Sequence, residues 1–322
     1  MGVTCKFEVV CVGVATWDTI ALVPRFPAPD ERLVAEELRV AIGGPAAIAA
    51  ITLARLGVKV GLVAGVGDDR AGQQVIAALG DAGVYAKFVR VVAGASTARS
   101  IVTVSSDTDS RSIVNKPFAA ADQVVKVGGS VGRGGGGGAG GGSAGAAAEA
   151  AASAGWVHFD HFGWQLKSDL AINRGEGPKI SLDIGYLTRD IKVGEVDLYA
   201  PTAEVVQQQR AGVNVATAVK EMARENQNLV VATLGSRGAV GSDGEQIIEV
   251  AAFDTEVVST LGAGDVFHGA LVAQFQQGRD LREAITRASA VAALSCRGLD
   301  GSSAVPDEKR LEVFLQGVQE KG

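Results

Sequence analysis

Cysteine is almost missing from this 322-residue chain, with only Cys5, Cys11 and Cys296 present. None falls in a C-x-x-C or comparable spacing, so neither a disulfide framework nor a thiolate metal site is expected, and the three read as reduced thiols. Aromatic residues are scarce, at 5%, and no charge-free run reaches the roughly 18 apolar residues of a membrane span. The opening stretch VVCVGVA lacks the basic lead and small-residue cleavage site of a secretory signal, which predicts a strand there instead. Positive charge is also in deficit: the net charge of −6 leaves no basic surface to meet nucleic acid or anionic lipid. These absences predict a cytoplasmic protein whose partner is a small molecule, with no nucleic-acid and no membrane partner.

What is present is alternation. FEVVCVGVA, VKVGLVAGVG, WVHFDHF, KISLDIG, VDLYAP and NLVVATLG are short, β-branched apolar runs of the kind buried on both faces of a sheet. Helix-prone stretches lie between most of them. GGPAAIAAITLARLG (43–57) sets Gly and Pro ahead of an alanine-rich run that closes on Gly57, the expected punctuation of a helix. AGQQVIAALGDAG and 264–277 are two further helices. The pattern predicts an α/β fold, a doubly wound, mostly parallel sheet in one domain over 1–322. IALV near 20 and TARSIVTVSSDTDSRSIVN (97–115), the latter a hairpin turning at DTDS, read instead as half-exposed strands. They predict a small β-sheet lid drawn from 15–40 and 97–116.

The segment 126–154 breaks this pattern, being dominated first by glycine and then by alanine. Each interior glycine costs a helix roughly 1 kcal/mol relative to alanine, so no stable helix is expected through 128–142. Two readings stay open, a surface loop and letters that stand in for other side chains; an intact mass away from 32.8 kDa would favour the second.

The chemistry concentrates in STLGAGDVFHGA, residues 259–270. Gly262, Ala263 and Gly264 can turn tightly with their amides facing one way, and the helix behind them adds its positive dipole end, which together make an anion site. A carboxylate there would repel a phosphate unless it had a task of its own. Accepting a proton from a substrate hydroxyl gives Asp265 that task; a simple helix cap is the bland alternative.

This string resembles the second motif of the ribokinase-like, PfkB-type sugar kinases, which is similar to D-T-x-G-A-G-D-x-F-x-G-A. The resemblance runs over the chain outside the glycine segment. It implies Asp265 as catalytic base, with Gly262, Ala263 and Gly264 as the anion hole for the transferring phosphoryl group. It further implies ATP and Mg2+ as cofactors. Thr233, Gly235 and Gly238, in TLGSRGA, and Thr260 would lie by the nucleotide, and Glu204 would help order the metal. Gly43 and Gly44 would let the backbone approach the sugar, and Asp18 would bind its hydroxyls. Three positions depart from the family pattern. Ser259 replaces an aspartate that often helps hold an activating monovalent cation, Ile48 replaces a polar residue, and Pro201 replaces the asparagine of N-x-x-E; monovalent-cation dependence stays open.

Within the family the sequence is similar to bacterial 6-deoxy-6-sulfofructose kinases, which implies Arg32 and Asn115 as contacts to a polar sugar tail. The arginine expected after His158-Phe159-Asp160 is lacking, with Phe162 near that place. The expected activity is phosphorylation of a sugar hydroxyl, on a ketose such as fructose or sulfofructose. A nucleoside kinase and a catalytically silent sugar- or nucleotide-binding regulator are the alternatives. His158, His161 and His268 have no ligand-like spacing and are expected to be structural, as is Trp17 beside Asp18. Lids of this family often pair across a homodimer, which implies the same here.

Overall fold

The computed structural model describes residues 7–125, 141–185 and 191–319. Cys5 and positions 126–140 of the glycine-rich segment lie outside the described residues. The chain opens with β1 (Val9–Val12), β2 (Thr16–Val23) and β3 (Glu37–Gly43), then α1 (Pro45–Arg55), β4 (Val60–Gly67), α2 (Arg70–Asp81) and β5 (Val89–Val92). A hairpin of β6 (Arg99–Ser105) and β7 (Ser110–Lys116) follows, turning within the expected DTDS, and then α3 (Gly141–Ser153). The second half runs through β8 (Trp156–Phe159), β9 (Lys179–Ile184), β10 (Leu198–Pro201), α4 (Ala203–Gln209), α5 (Val215–Asn226) and β11 (Leu229–Thr233). It closes with the hairpin β12 (Ala239–Ser242) and β13 (Ile247–Val250), then α6 (Ala263–Gln276), α7 (Leu281–Ser295) and α8 (Glu308–Gln319).

The large sheet has nine strands in the order β13-β12-β11-β10-β9-β8-β1-β4-β5. It is parallel from β5 through β11, and only the β12–β13 edge is antiparallel. Residues alternate across a strand, so each buried strand feeds two cores. In β1, Val9 and Cys11 join the core beneath α1, α6 and α7, whereas Val10 and Val12 join the core that holds α3, α4 and α5. This is the doubly wound α/β architecture that the alternation predicts.

Successive crossovers from β1 go to β4 on one side, while β8 lies on its other side. The strand order therefore reverses beside β1, and the crevice beyond the carboxyl ends of β1 and β8 is where such sheets bind ligands. The second sheet, β3-β2-β6-β7, stands apart. Its inner face packs Ile20, Val102 and Val104 against Leu299, and Arg39 on β3 ties it to the body through a 2.9 Å ion pair with the buried Asp300. Among the described residues no helix is long and apolar enough to cross a membrane.

Candidate active site

A cavity of about 590 Å³ opens at the reversal point, between the carboxyl ends of β1 and β8 and the small sheet. Gly13, Val14, His161 and Phe162 line its floor, Ser100, Ile113 and Asn115 of β6 and β7 line one wall, and Asp18 and Asp265 both reach it.

Asp265 sits in the first turn of α6, three residues after Gly262. Gly262 has φ of 74°, and a Cβ there would come 2.8 Å from Cα of Gly301, so this cap needs glycine. No side chain caps the helix, leaving first-turn amides for a ligand. Among the three expected amides, that of Ala263 makes a 3.3 Å bond to the Thr260 carbonyl. Gly264 is exposed, and a Cβ on it would meet nothing within 4 Å. Asp265 itself is half-buried. Burial, followed by the charge of Asp183, pushes its carboxyl up to about 7, where a general base works best near neutral pH.

Asp18 is buried on β2 and accepts a 2.8 Å bond from the Ser100 amide, and burial raises its carboxyl above the ordinary range. A Cβ on Gly43 would overlap Oδ2 of Asp18, so Gly43 makes room for the carboxylate. Gly44, at φ of 95°, opens α1 and lines the cavity with Pro45.

Of the residues expected by the nucleotide, Thr233 and Gly235 lie at the carboxyl end of β11. Thr233 ends β11 and bridges to Thr202, which caps α4 two residues before the exposed Glu204. Gly235 is exposed with nothing within 4 Å of a would-be Cβ, whereas Gly238 is packed against the Val250 carbonyl, a structural position. Thr260 Oγ1 accepts a 3.1 Å bond from Arg111 of β7. Arg32 is exposed on the β2–β3 connection and does not line the cavity, in contrast to Asn115. No cluster of metal-ligating side chains occurs among the described residues. Glu204, the carboxylate expected to help order a nucleotide-bound ion, is exposed.

Of the three departures from the family pattern, two have local structural roles. Ser259 Oγ accepts from the Leu261 amide at 3.1 Å and shapes the turn before Gly262. Ile48 is buried in α1. Trp17 packs on the core, as expected.

Sequence reasoning passed over several residues at this site. Asp160, fully buried after β8, accepts from the amides of Val14 (2.7 Å) and Ala46 (3.2 Å) through Oδ2, and of Phe162 (3.0 Å) and Gly163 (2.6 Å) through Oδ1. It staples three loops of the cavity floor together. His161, expected to be structural, lines the cavity. His268, on the buried side of α6, and His158 of β8 are both buried: Nδ1 of His268 lies 2.7 Å from Oδ2 of Asp183, and His158 shares a 2.7 Å hydrogen bond with Ser181. The available signal was the polar letters at alternate positions of HFDHF and SLDI, strands otherwise apolar.

The pfkB family carbohydrate kinase pattern matches residues 6–127 and 203–308 of the chain. The chain is 22% identical over 299 residues to a ribokinase of Haemophilus influenzae, covering 93% of this chain and 95% of that one. Its fold superposes on a ribokinase of Thermotoga maritima with a TM-score of 0.77 at 20% identity, covering 96% and 99% of the two chains. For an Arabidopsis thaliana ribokinase complexed with ribose and ATP the TM-score is 0.75 at 23% identity, covering 97% and 99%.

Proposed function

The chain belongs to the pfkB family of carbohydrate kinases and is an ATP-using phosphotransferase with an alcohol group as acceptor; we propose that its acceptor is a primary hydroxyl of a neutral furanose sugar, a ketose such as fructose, with Asp265 as the base. The observation that carries this is the Asp265 carboxylate in the wall of the cavity that Asp18 also lines. Asp18, fixed by Ser100, accepts from sugar hydroxyls, Asn115 offers both a donor and an acceptor, and Gly43 and Gly44 give the backbone close approach. Arg32 reaches the sugar only if the β2–β3 connection moves. As the sugar oxygen forms its bond to the γ-phosphorus, the bond to the β–γ bridging oxygen breaks and ADP leaves. The hydroxyl proton passes to Asp265.

The amides of Gly262, Ala263 and Gly264 receive the charge on the transferring group, and Gly264 is the most accessible of them. Thr233, Gly235 and Thr260 border the nucleotide. Mg2+ bound with ATP would neutralise its phosphates, and Glu204 would order the ion's water. A sulfonated ketose is disfavoured, because among the described residues no lysine or arginine lines the cavity and a strong anion site needs charged donors.

The test offers ATP, magnesium and, in turn, fructose, 6-deoxy-6-sulfofructose, ribose, deoxyribose and adenosine, and records ADP release. Fructose is expected to lead and Asp265→Asn to lose at least about 100-fold, the scale of general-base catalysis, while still binding ATP. Preference for adenosine or the sulfosugar would overturn the substrate assignment, and ADP release without any sugar requirement would favour the silent regulator.

The small sheet also has an outer face without cover. Val40, Thr19, Ile101 and Val114 form one row across all four strands, flanked by Leu38, and Leu38, Ile101 and Val114 are 71%, 63% and 68% exposed. A second copy of the same face is its proposed partner, since both sheets then bury apolar rows and protect their edges. Light scattering should give a dimer that Ile101→Lys converts to monomer; a monomeric wild type would refute the pairing.

A further inference from the structure

We propose that His268, clamped on Asp183 one helical turn behind Asp265, is a positioning residue that holds the base in its proton-accepting form. The inference rests on the assignment of Asp265 as base. Residues three apart on a helix share a face, so His268 lies under Asp265 on α6, with its Nδ1 2.7 Å from Oδ2 of Asp183. His268 is 3% and Asp183 6% exposed. Buried charges of this kind persist only when paired.

The sequence pays for this corner in lost packing. Beside the apolar Trp156, the α6-facing positions of β8 and β9 carry His158, Ser181 and Asp183, where the opposite positions are all apolar. Burial alone would push His268 down, yet the carboxylates of Asp183 and Asp265 outweigh it and raise the imidazole above its ordinary value. Burial would likewise raise Asp183, and His268 instead draws it below the usual carboxylate range. Both directions favour an imidazolium facing a carboxylate, a pair nearly neutral as a unit. Without the imidazolium, Asp265 would face the uncompensated charge of Asp183.

The other charged groups that act on this corner are His158 from β8, Asp160 and His161 from the segment after it, and Arg111 from β7. His158 is pushed down to about 4 by burial and is neutral. Of the helices packed on α6, α1 presents apolar side chains, and the buried Arg287 of α7 is bonded to Gln274 further along.

The experiment follows the Asp265 carboxyl by 13C NMR in aspartate-labelled resting protein, assigned by difference with Asp265→Asn, beside the pH profile of kcat/KM. His268→Asn is expected to move the Asp265 midpoint and the acid limb up by about one pH unit, the scale of losing a close opposite charge. His268→Asn combined with Asp183→Asn removes both charges and should return the midpoint toward wild type. An unmoved midpoint in the single variant, or an equal rise in the double, would overturn the proposal. Should His268→Asn fail to fold, Asp183→Asn alone decides: the midpoint is expected to fall or hold, and a rise refutes the coupling. Because the NMR titration needs no turnover, a midpoint that responds in a protein with no sugar-dependent activity would keep the coupling and sink the kinase base; activity with unresponsive midpoints would do the reverse.

Discussion

The two faces of β8 and β9 are built to different specifications. Toward α3, α4 and α5 they present Val157, Phe159, Ile180, Leu182 and Ile184, all buried in one apolar core. Toward α6 they present Trp156, stacked on Phe275, and then His158, Ser181 and Asp183, equally buried. An apolar face asks only for shape and gains about 25 cal/mol for each Å² removed from water. A polar face costs free energy for every group it buries unpaired, and Nε2 of His158 and of His268 has no hydrogen-bond partner, so its presence under the base is a cost that packing does not explain. The difference teaches that one strand can be scaffold on one side and charge placement on the other, with a period of two residues separating the roles.

The sharpest way to break this division is to damage the apolar face and watch the chemistry. Leu182→Ala removes a fully buried side chain and should cost about 2–5 kcal/mol, measured by urea denaturation. The acid limb of activity is expected to stay where it is, near the Asp265 value of about 7. If the limb moved as far as it does in His268→Asn, the two faces would not be separate and the polar one would have no special hold on the base.

The same contrast explains what could be seen in the sequence. The Asp265 loop was legible because everything that defines it is local: a turn glycine, a helix start and a carboxylate within a dozen residues. The β6–β7 hairpin and the alternating strands were legible for the same reason. The cavity floor was not, since Asp160 meets the Val14 amide across 146 positions and Arg111 meets Thr260 across 149. No periodicity encodes such a pairing. A second role of Gly43 was hidden for a related cause: glycine before a helix signals close approach, but only the β2–β3 register shows that the Asp18 carboxylate fills the space where its Cβ would be. Buried polar letters inside apolar strands were the one long-range clue available, and reading them needs to know which helix lies over them.

The smallest expected effect separates the two imidazoles of the polar face. Ser181 shares a buried 2.7 Å hydrogen bond with Nδ1 of His158, and Ser181→Ala leaves that nitrogen without its partner. The cost should be about 1 kcal/mol, read as a lower denaturation midpoint. Because burial holds His158 near 4 against an ordinary 6.5, the unfolded chain takes up a proton between those values that the folded chain refuses. Stability contributed by this group is complete above 6.5 and declines as pH falls toward 4. His268 has the opposite sign, since its raised value adds stability below 6.5 that is lost as pH climbs. A neutral His158 puts no charge on Asp265, so Ser181→Ala should leave the acid limb unmoved while lowering stability. A limb that shifted in this variant would mean the field at Asp265 comes from the whole polar face and not from the Asp183–His268 pair.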